Sequence, residues 1–219
     1  MLYLLASKRP RWMLVAGCAL AIVLCTTVAA VFSQDSLQAR ASALNPSLHS
    51  FQANIHADIS MKTFPYLSPS LDGMYYHKEP GMDKIVFTSG LPGIAKEFSK
   101  VYPHVETPAG WSRVYKVTLE TSNAAATTYK LVPRKHGRVD HIDATLDNAT
   151  ATVIYMRWNY NDGGYAELHQ TFALVGGNYL VSGQTGHFET SLYKADVTSH
   201  FTNYVLNPSI PDAFFTEEE

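Results

Sequence analysis

Apolar and polar residues alternate strictly between positions 54 and 62: Ile55, Ala57, Ile59 and Met61 interleave with Asn54, His56, Asp58, Ser60 and Lys62. A period of two predicts a strand with one buried face. Met74 to Lys78 and Lys84 to Thr88 predict a strand pair, joined by Glu79-Pro80-Gly81-Met82-Asp83, where Pro-Gly favours a turn. From Trp111 onward strand follows strand, over 112–121, 127–133, 138–146, 150–158, 164–175, 178–189 and 192–206. The breaks are Ser122-Asn123, His136-Gly137, Asp147-Asn148, Asn161-Asp162-Gly163-Gly164 and Gly176-Gly177-Asn178. Such turn residues make antiparallel neighbours, hence a meander. Helical spacing occurs twice, in Asp35 to Leu44 (Leu37, Ala41 and Leu44, with Asp35 or Ser36 as N-cap and Pro46 as the stop) and in Ile94 to Val101 (Ile94, Phe98 and Val101). The expected fold is mainly β with a few helices, a curled antiparallel sheet or half-open β-barrel covered by short helices.

Ahead of the alternating region lies a different pattern. Trp12 to Phe32 is 21 residues without a charge, preceded by Lys8, Arg9 and Arg11 and followed by Ser33, Gln34, Asp35 and Ser36. A positive flank before an apolar run keeps the amino end in the cytoplasm while the rest crosses the membrane. Residues 1–33 are therefore expected to be a signal peptide or an N-terminal inner-membrane anchor, and 34–219 one β-rich domain outside the cytoplasm. Val31 and Ser33 suit cleavage before Gln34, whereas the length of the run suits retention. Val15-Ala16-Gly17-Cys18 has the form of a lipidation signal, but the apolar residues after it make a poor polar tether.

Composition narrows the chemistry. Cys18 and Cys25, the two cysteines, both fall in the leader, which leaves the domain without disulfide, thiol nucleophile or thiolate ligand. Removing the three leader cations leaves 14 basic against 19 acidic residues, a net of -5. With no basic stripe, nucleic acid is not an expected partner.

The order of elements resembles the periplasmic outer-membrane lipoprotein carrier superfamily (LolA-like, including RseB-type sensors). The residues that carry the likeness are Leu37-Gln38-Ala39-Arg40, Phe51-Gln52-Ala53, the run from Gly73 through Met74-Tyr75-Tyr76-His77-Lys78-Glu79 to Pro80, and Asp83-Lys84-Ile85. At the other end they are Asp196-Val197-Thr198, Asn203 to Pro208 and Ile210 to Phe215. The resemblance implies an apolar cavity for lipid or lipoprotein acyl chains, enclosed by a half-open barrel with helices on its concave side. One departure is plain: the carriers latch their lid with an early buried arginine, and no Arg occurs between Arg40 and Arg113.

Other chemistry is less well supported. Nine histidines invite a metal reading, densest at His136, Asp140, His141 and Asp143. Strand alternation sends Asp140 away from His141 and Asp143, so no metal site is expected. No nucleophile elbow exists; Val181-Ser182-Gly183-Gln184-Thr185-Gly186 lacks the spacing, and neither catalytic residues nor a cofactor are expected. Met156 to Tyr165 reads as a hairpin with Trp158, Tyr160 and Tyr165 as cross-strand pairs, or as a rim that touches a partner. Asn148-Ala149-Thr150 fits a glycosylation acceptor and equally an ordinary turn.

The leading expectation is a bacterial envelope protein, periplasmic or anchored to the inner membrane through residues 12–32. It binds acyl chains as a carrier or sensor. Apolar positions of the early strands nominate Ile55, Ile59, Met74, Tyr76, Ile85 and Phe87 as cavity-facing residues. The alternative is a membrane-tethered interaction module with a filled core, whose sheet edge or aromatic hairpin binds another envelope protein.

Overall fold

A computed structural model of the chain describes residues 37–64, 68–88, 107–191 and 194–216. The leader, the helix expected over 94–101 and the tail Glu217 to Glu219 lie outside the described residues. Among those described, no helix is long and apolar enough to cross a membrane.

Residues 37–42 are helical (α1). Three strands follow: β1 (Ser50–Met61), β2 (Ser70–Lys78) and β3 (Met82–Phe87). A seven-residue helix, α2 (Pro108–Val114), precedes β4 (Tyr115–Ser122), β5 (Ala126–Pro133) and β6 (Val139–Asp147). Then come β7 (Val153–Tyr160), β8 (Tyr165–Val175), β9 (Asn178–Glu189) and β10 (Lys194–Leu206), with a final turn of helix, α3 (Ala213–Thr216). All ten strands join one antiparallel sheet in the order β3-β2-β1-β10-β9-β8-β7-β6-β5-β4. It is two meanders joined where β1 meets β10, and it does not close: β3 and β4 are its outermost strands. The mainly β, curled-sheet expectation holds.

Alternation fixes which face is buried. Ile55, Ala57 and Ile59 of β1 pair with Phe201, Ser199 and Val197 of β10, and Ala53, Ile55 and Ala57 with Tyr75, Gly73 and Leu71 of β2, and all share the inner face. Tyr129 and Leu131, Ile142 and Ala144, Met156 and Trp158, Ala166 and Leu168, and Phe188 continue that face across β5 to β9, all buried. Burying a large apolar side chain contributes about 1.5–3 kcal/mol, so this face supplies most of the stabilisation of the sheet.

The strand predicted to begin at 112 begins at Tyr115, because 108–114 are helical. Pro108 at the first helical position, after Thr107 in extended conformation, is the signal for that helix. Its Trp111 is fully buried and meets Tyr129 edge-on at 6.1 Å, which places α2 on the inner face. Gln38 of α1 reaches Ser112 of α2 at 3.4 Å, and Arg40 donates to the carbonyls of Asn148 and Ala149 in the β6–β7 turn. Two helices thus sit over the β4–β7 half of the sheet.

Trp158, Tyr160 and Tyr165 do not pair with one another. Trp158 lies inward between Ile142 and Ala166, Tyr160 stacks under Arg138 at 4.5 Å, and Tyr165 faces outward under Arg157 at 3.9 Å. The β7–β8 register opposes Asn159 to Tyr165, which separates the three rings. Asn148 is tied on both sides of its amide, accepting from Thr127 and donating to the Asn123 carbonyl, so the structure gives it the part of a turn anchor.

The seam between the two meanders is held by asparagines. Asn203 takes a φ of 55° at a bulge opposite Ala53, and Asn207 a φ of 52° just past the strand; asparagine tolerates this left-handed region better than most residues. The Asn207 carboxamide accepts the His49 N–H at 2.8 Å and donates to the Ser47 carbonyl at 3.1 Å. Asn45 does the same for β9, accepting from the Tyr179 N–H and donating to its carbonyl. A side-chain amide here imitates a neighbouring strand.

Asn207→Gly keeps the backbone angle and loses the side-chain bonds, at a cost of about 1–2 kcal/mol. Asn207→Ala adds left-handed strain of about 1 kcal/mol more; urea denaturation should rank the chains wild type, Gly, Ala. Trp111→Ala should cost about 3–5 kcal/mol by the same measurement, and a loss under 1 kcal/mol would mean that α2 is not docked as described.

Candidate functional site

Rows of residues across the sheet show what the inner face offers. One row runs Phe201, Ile55, Gly73, Phe87 from β10 to β3. A Cβ on Gly73 would stand 3.2 Å from Cδ1 of Phe87 and 2.6 Å from the Val86 carbonyl oxygen, so the glycine makes the room that the Phe87 ring occupies. The row beside it, Ala53, Tyr75, Ile85, also has a small residue on β1. Farther along, Val197 and Ile59 face each other, with Gly186 next on β9. A Cβ on Gly186 would meet Leu168 and Phe188 at 3.0 Å. Small residues flanked by large ones give an apolar floor with relief in it, and among the described residues no charged side chain lies on this floor between Ile55 and Ile59.

Four of the six nominated residues share this face: Ile55 and Ile59 are buried, Ile85 and Phe87 half-buried. Met74 and Tyr76 do not join them. Register opposes Met74 to Asn54 and Val86, and Tyr76 to Gln52 and Lys84, on the outer face. There the chain's own end covers Tyr76, which meets the Phe214 ring edge-on at 4.7 Å, while Lys84 donates to the Phe214 carbonyl at 2.9 Å and Lys78 to that of Ile210 at 2.6 Å. The sequence carried the sign of this parity in Leu71-Asp72. An apolar 71 before an acidic 72 turns the odd positions of β2 inward.

That parity brings in two residues sequence reasoning passed over, Tyr75 and His77. At the hairpin end of the face His77 stacks on Phe51 at 5.0 Å, and Phe51 also meets Tyr75 and Tyr204 edge-on, each at 5.4 Å. Asp83 of β3 accepts from the Tyr75 hydroxyl at 2.6 Å and bonds His77 Nδ1 at 2.8 Å. Burial is the largest single influence on His77 and pushes its pKa down. The Asp83 hydrogen bond and the Asp83 and Glu79 charges together outweigh it, leaving the pKa above its ordinary 6.5. Burial likewise raises Tyr204, whose hydroxyl donates to the Val181 carbonyl. The apolar face thus ends in an aromatic and ionisable rim.

The outer face is polar throughout its middle. Asp143, Arg157, Glu167, His187 and Asp196 lie in one row across β6 to β10, acidic side chains alternating with basic ones. Arg157 reaches Glu167 at 3.3 Å and His187 reaches Asp196 at 2.6 Å. Lys62, then His187, hold the Asp196 carboxyl below its usual range. Such exposed pairs contribute little each, about 0–1 kcal/mol.

Two outer-face clusters have the look of chemistry. Ser70 Oγ lies 3.4 Å from His56 Nε2, and His56 Nδ1 lies 2.7 Å from Asp72, the connectivity of a nucleophile relay. Ser70 instead donates to Asp58 at 2.8 Å, and His56 is about half exposed on an open strand surface. A competing acceptor and full access to water remove the activation a nucleophile needs. At the second cluster, Asp140 does not turn away from His141 as alternation predicted. A bulge between Val139 and His141 breaks the period, and the two side chains meet at 2.6 Å. Asn159 bridges His141 Nε2 and Asp143, at 3.0 and 3.1 Å. Among the described residues no three His, Cys, Asp or Glu side chains are grouped as metal ligands.

No family model and no curated relative matches the sequence. Solved structures do match. An outer-membrane lipoprotein-sorting protein domain from Vibrio parahaemolyticus superposes with a TM-score of 0.59 at 9% identity, over 82% of this chain and 94% of that one. A DUF1329 family protein from Desulfovibrio piger gives 0.54 at 10% identity, over 82% and 94%. A LolA superfamily protein from Nitrosomonas europaea gives 0.52 at 10% identity, over 84% and 97%. At such identities the likeness is one of architecture, and it matches the resemblance read from the element order: the chain has a LolA-like fold.

Proposed function

We propose that this chain is a non-enzymatic protein of the bacterial envelope that binds the acyl chains of a lipid or lipoprotein against the inner face of its sheet. The observation that carries the reading is that face itself. Among the described residues it is mainly apolar from β5 to β3, interrupted by Thr127, Gln184 and Ser199, has a floor of small residues between large ones, and belongs to a sheet that does not close. The likeness of its fold to a lipoprotein-sorting domain supports the same reading. Residues 12–32 would deliver the domain outside the cytoplasm, either as a removed leader or as a retained inner-membrane anchor, and a retained anchor would suit a sensor better than a shuttle.

The physics suits such a ligand. An acyl chain of about twelve methylenes gains roughly 10 kcal/mol from burial, and association takes back about 4 kcal/mol or more. One chain would then bind in the range of tens of micromolar, and a second chain on the same face would tighten binding strongly. Within this reading Ile55, Ile59, Ile85 and Phe87 line the ligand site, and Tyr75 and His77 stand at its mouth. Met74 and Tyr76 are on the outer face, and Tyr76, under the carboxyl-terminal segment, would act only through it.

Protein recovered from cells without detergent should carry extractable lipid, seen by native mass spectrometry, and should take up a fluorescent fatty acid. Ile85→Gln should weaken uptake about tenfold while leaving far-ultraviolet circular dichroism unchanged. Absence of both lipid and uptake in the folded protein would end the proposal and favour the interaction module with a filled core.

A further inference from the structure

Four of the histidines share one constellation. His56, His77, His141 and His187 each have an acid two residues on: Asp58, Glu79, Asp143 and Glu189. Each also sets Nδ1 against a second carboxylate: Asp72 at 2.7 Å, Asp83 at 2.8 Å, Asp140 at 2.6 Å and Asp196 at 2.6 Å. The Nε2 distances to the first acids are 3.5, 3.5, 3.6 and 3.8 Å. A period of two puts residues i and i+2 on one face, so for His56, His141 and His187 the first contact follows from the strand; Glu79 lies in the turn just past β2. The consequence is chemical. Carboxylates only accept, and only the imidazolium offers an N–H at both nitrogens; the neutral ring turns a lone pair toward one of the acids.

Water decides which of the four matters. His56, His141 and His187 are on the outer face with side chains 46%, 21% and 30% exposed, whereas His77 is 12% exposed and on the inner face. Screening weakens the first three pairs, and desolvation strengthens the response of the fourth to its charge. Among the described residues, the ionisable groups packed against the His77 ring are Tyr75 of its own strand, Glu79 of the turn that follows it and Asp83 of β3. The Phe51 ring of β1 covers it, with Tyr204 of β10 behind. Lys78 and Lys84 turn to the opposite face, toward Asp212 and the Phe214 carbonyl.

We propose that His77 and Asp83 form a proton-operated clasp on the β2–β3 hairpin, closed while His77 is charged and loosened as it loses its proton. The outermost strand of the apolar face is then held more firmly in mild acid than above neutrality. The sign follows from linkage. A histidine whose pKa is raised by folding adds stability that is complete below the unfolded value near 6.5 and vanishes as pH rises through the folded one. The two ends of the lever are short: β3 has six residues and pairs, among the described strands, with β2 alone. That ligand exchange follows the clasp rests on the acyl-binding reading; the clasp itself does not.

Hydrogen exchange of the full chain at pH 6 and pH 8, expressed as protection relative to the unstructured rate at each pH, tests it. Amides of Met82–Phe87 should lose protection several-fold on going to pH 8, with those of β4 and β5 changing less. In His77→Gln and Asp83→Asn the same amides should be weakly protected at both pH values, and His56→Gln should behave as wild type. A flat wild-type response, or an undiminished one in His77→Gln, overturns the clasp. Should the His77 variant fail to fold, the imidazole titration of His77 in wild-type protein decides: a midpoint above 6.5 supports the clasp and one at or below 6.5 overturns it. Release of a fluorescent fatty acid at the two pH values separates the ideas. A pH-responsive β3 without a change in release leaves the clasp standing and removes its link to ligand, while absence of binding at both pH values removes the acyl reading alone.

Discussion

One parity, shared by ten strands, governs this molecule. Side chains alternate along every strand, and antiparallel register forces directly opposed residues onto the same face, so the orientation of Ile55 is bound to that of Phe201, Gly73 and Phe87. A slip of one residue in β1 would turn Ile55, Ala57 and Ile59 to water and bring His56 and Asp58 inward. Burying an unpaired carboxylate costs several kcal/mol, as does exposing two isoleucines. Register is therefore specified far more strongly than any single contact along the sheet would suggest. Bulges are where the molecule relaxes that rule, and they recur at points of interest: at Asn203, where the two meanders join, and at Asp140, where a carboxylate is brought round to its neighbouring histidine.

Because the rule is so simple, much of the architecture could be read from the residues. Turn pairs such as Asn161 to Gly164 and Gly176-Gly177 fall between runs of alternating character, and the hairpins appear where those residues stand. The helix at 108–114 was obscured because it is too short to show an apolar stripe; its evidence was the Pro108 start alone. The face of β2 was obscured for a different reason. From Met74 to Tyr76 both faces carry large side chains, Tyr75 toward the inner face and Tyr76 under the carboxyl-terminal segment, and local alternation cannot tell two half-buried faces apart. The answer lay two residues earlier, in Leu71 and Asp72, and in a contact with Phe214 that is remote in sequence.

The two faces divide the labour of the sheet. The outer one gathers histidines, acids and cations into rows that water screens, and its most suggestive group, Ser70 with His56 and Asp72, sits on an open surface with its hydroxyl proton directed to Asp58. Among the described residues the inner one is nearly free of ionisable side chains until its rim, where Phe51, Tyr75 and Tyr204 surround a single histidine. Under the proposed acyl-binding reading, the greasy floor would take the tail of an amphiphile and the polar mouth its head, since the tail needs only area and the head needs partners.

The joining of β1 to β10 sets the order of assembly. Residues about 150 positions apart must find each other before the amino-terminal meander has any neighbour but itself, while β4 to β10 can zip up hairpin by hairpin. Such non-local pairing is slow relative to hairpin closure. A chain emerging from a ribosome or threaded through a membrane pore would thus keep its first three strands waiting until the last one arrives. In that interval they are the segment most in need of a chaperone.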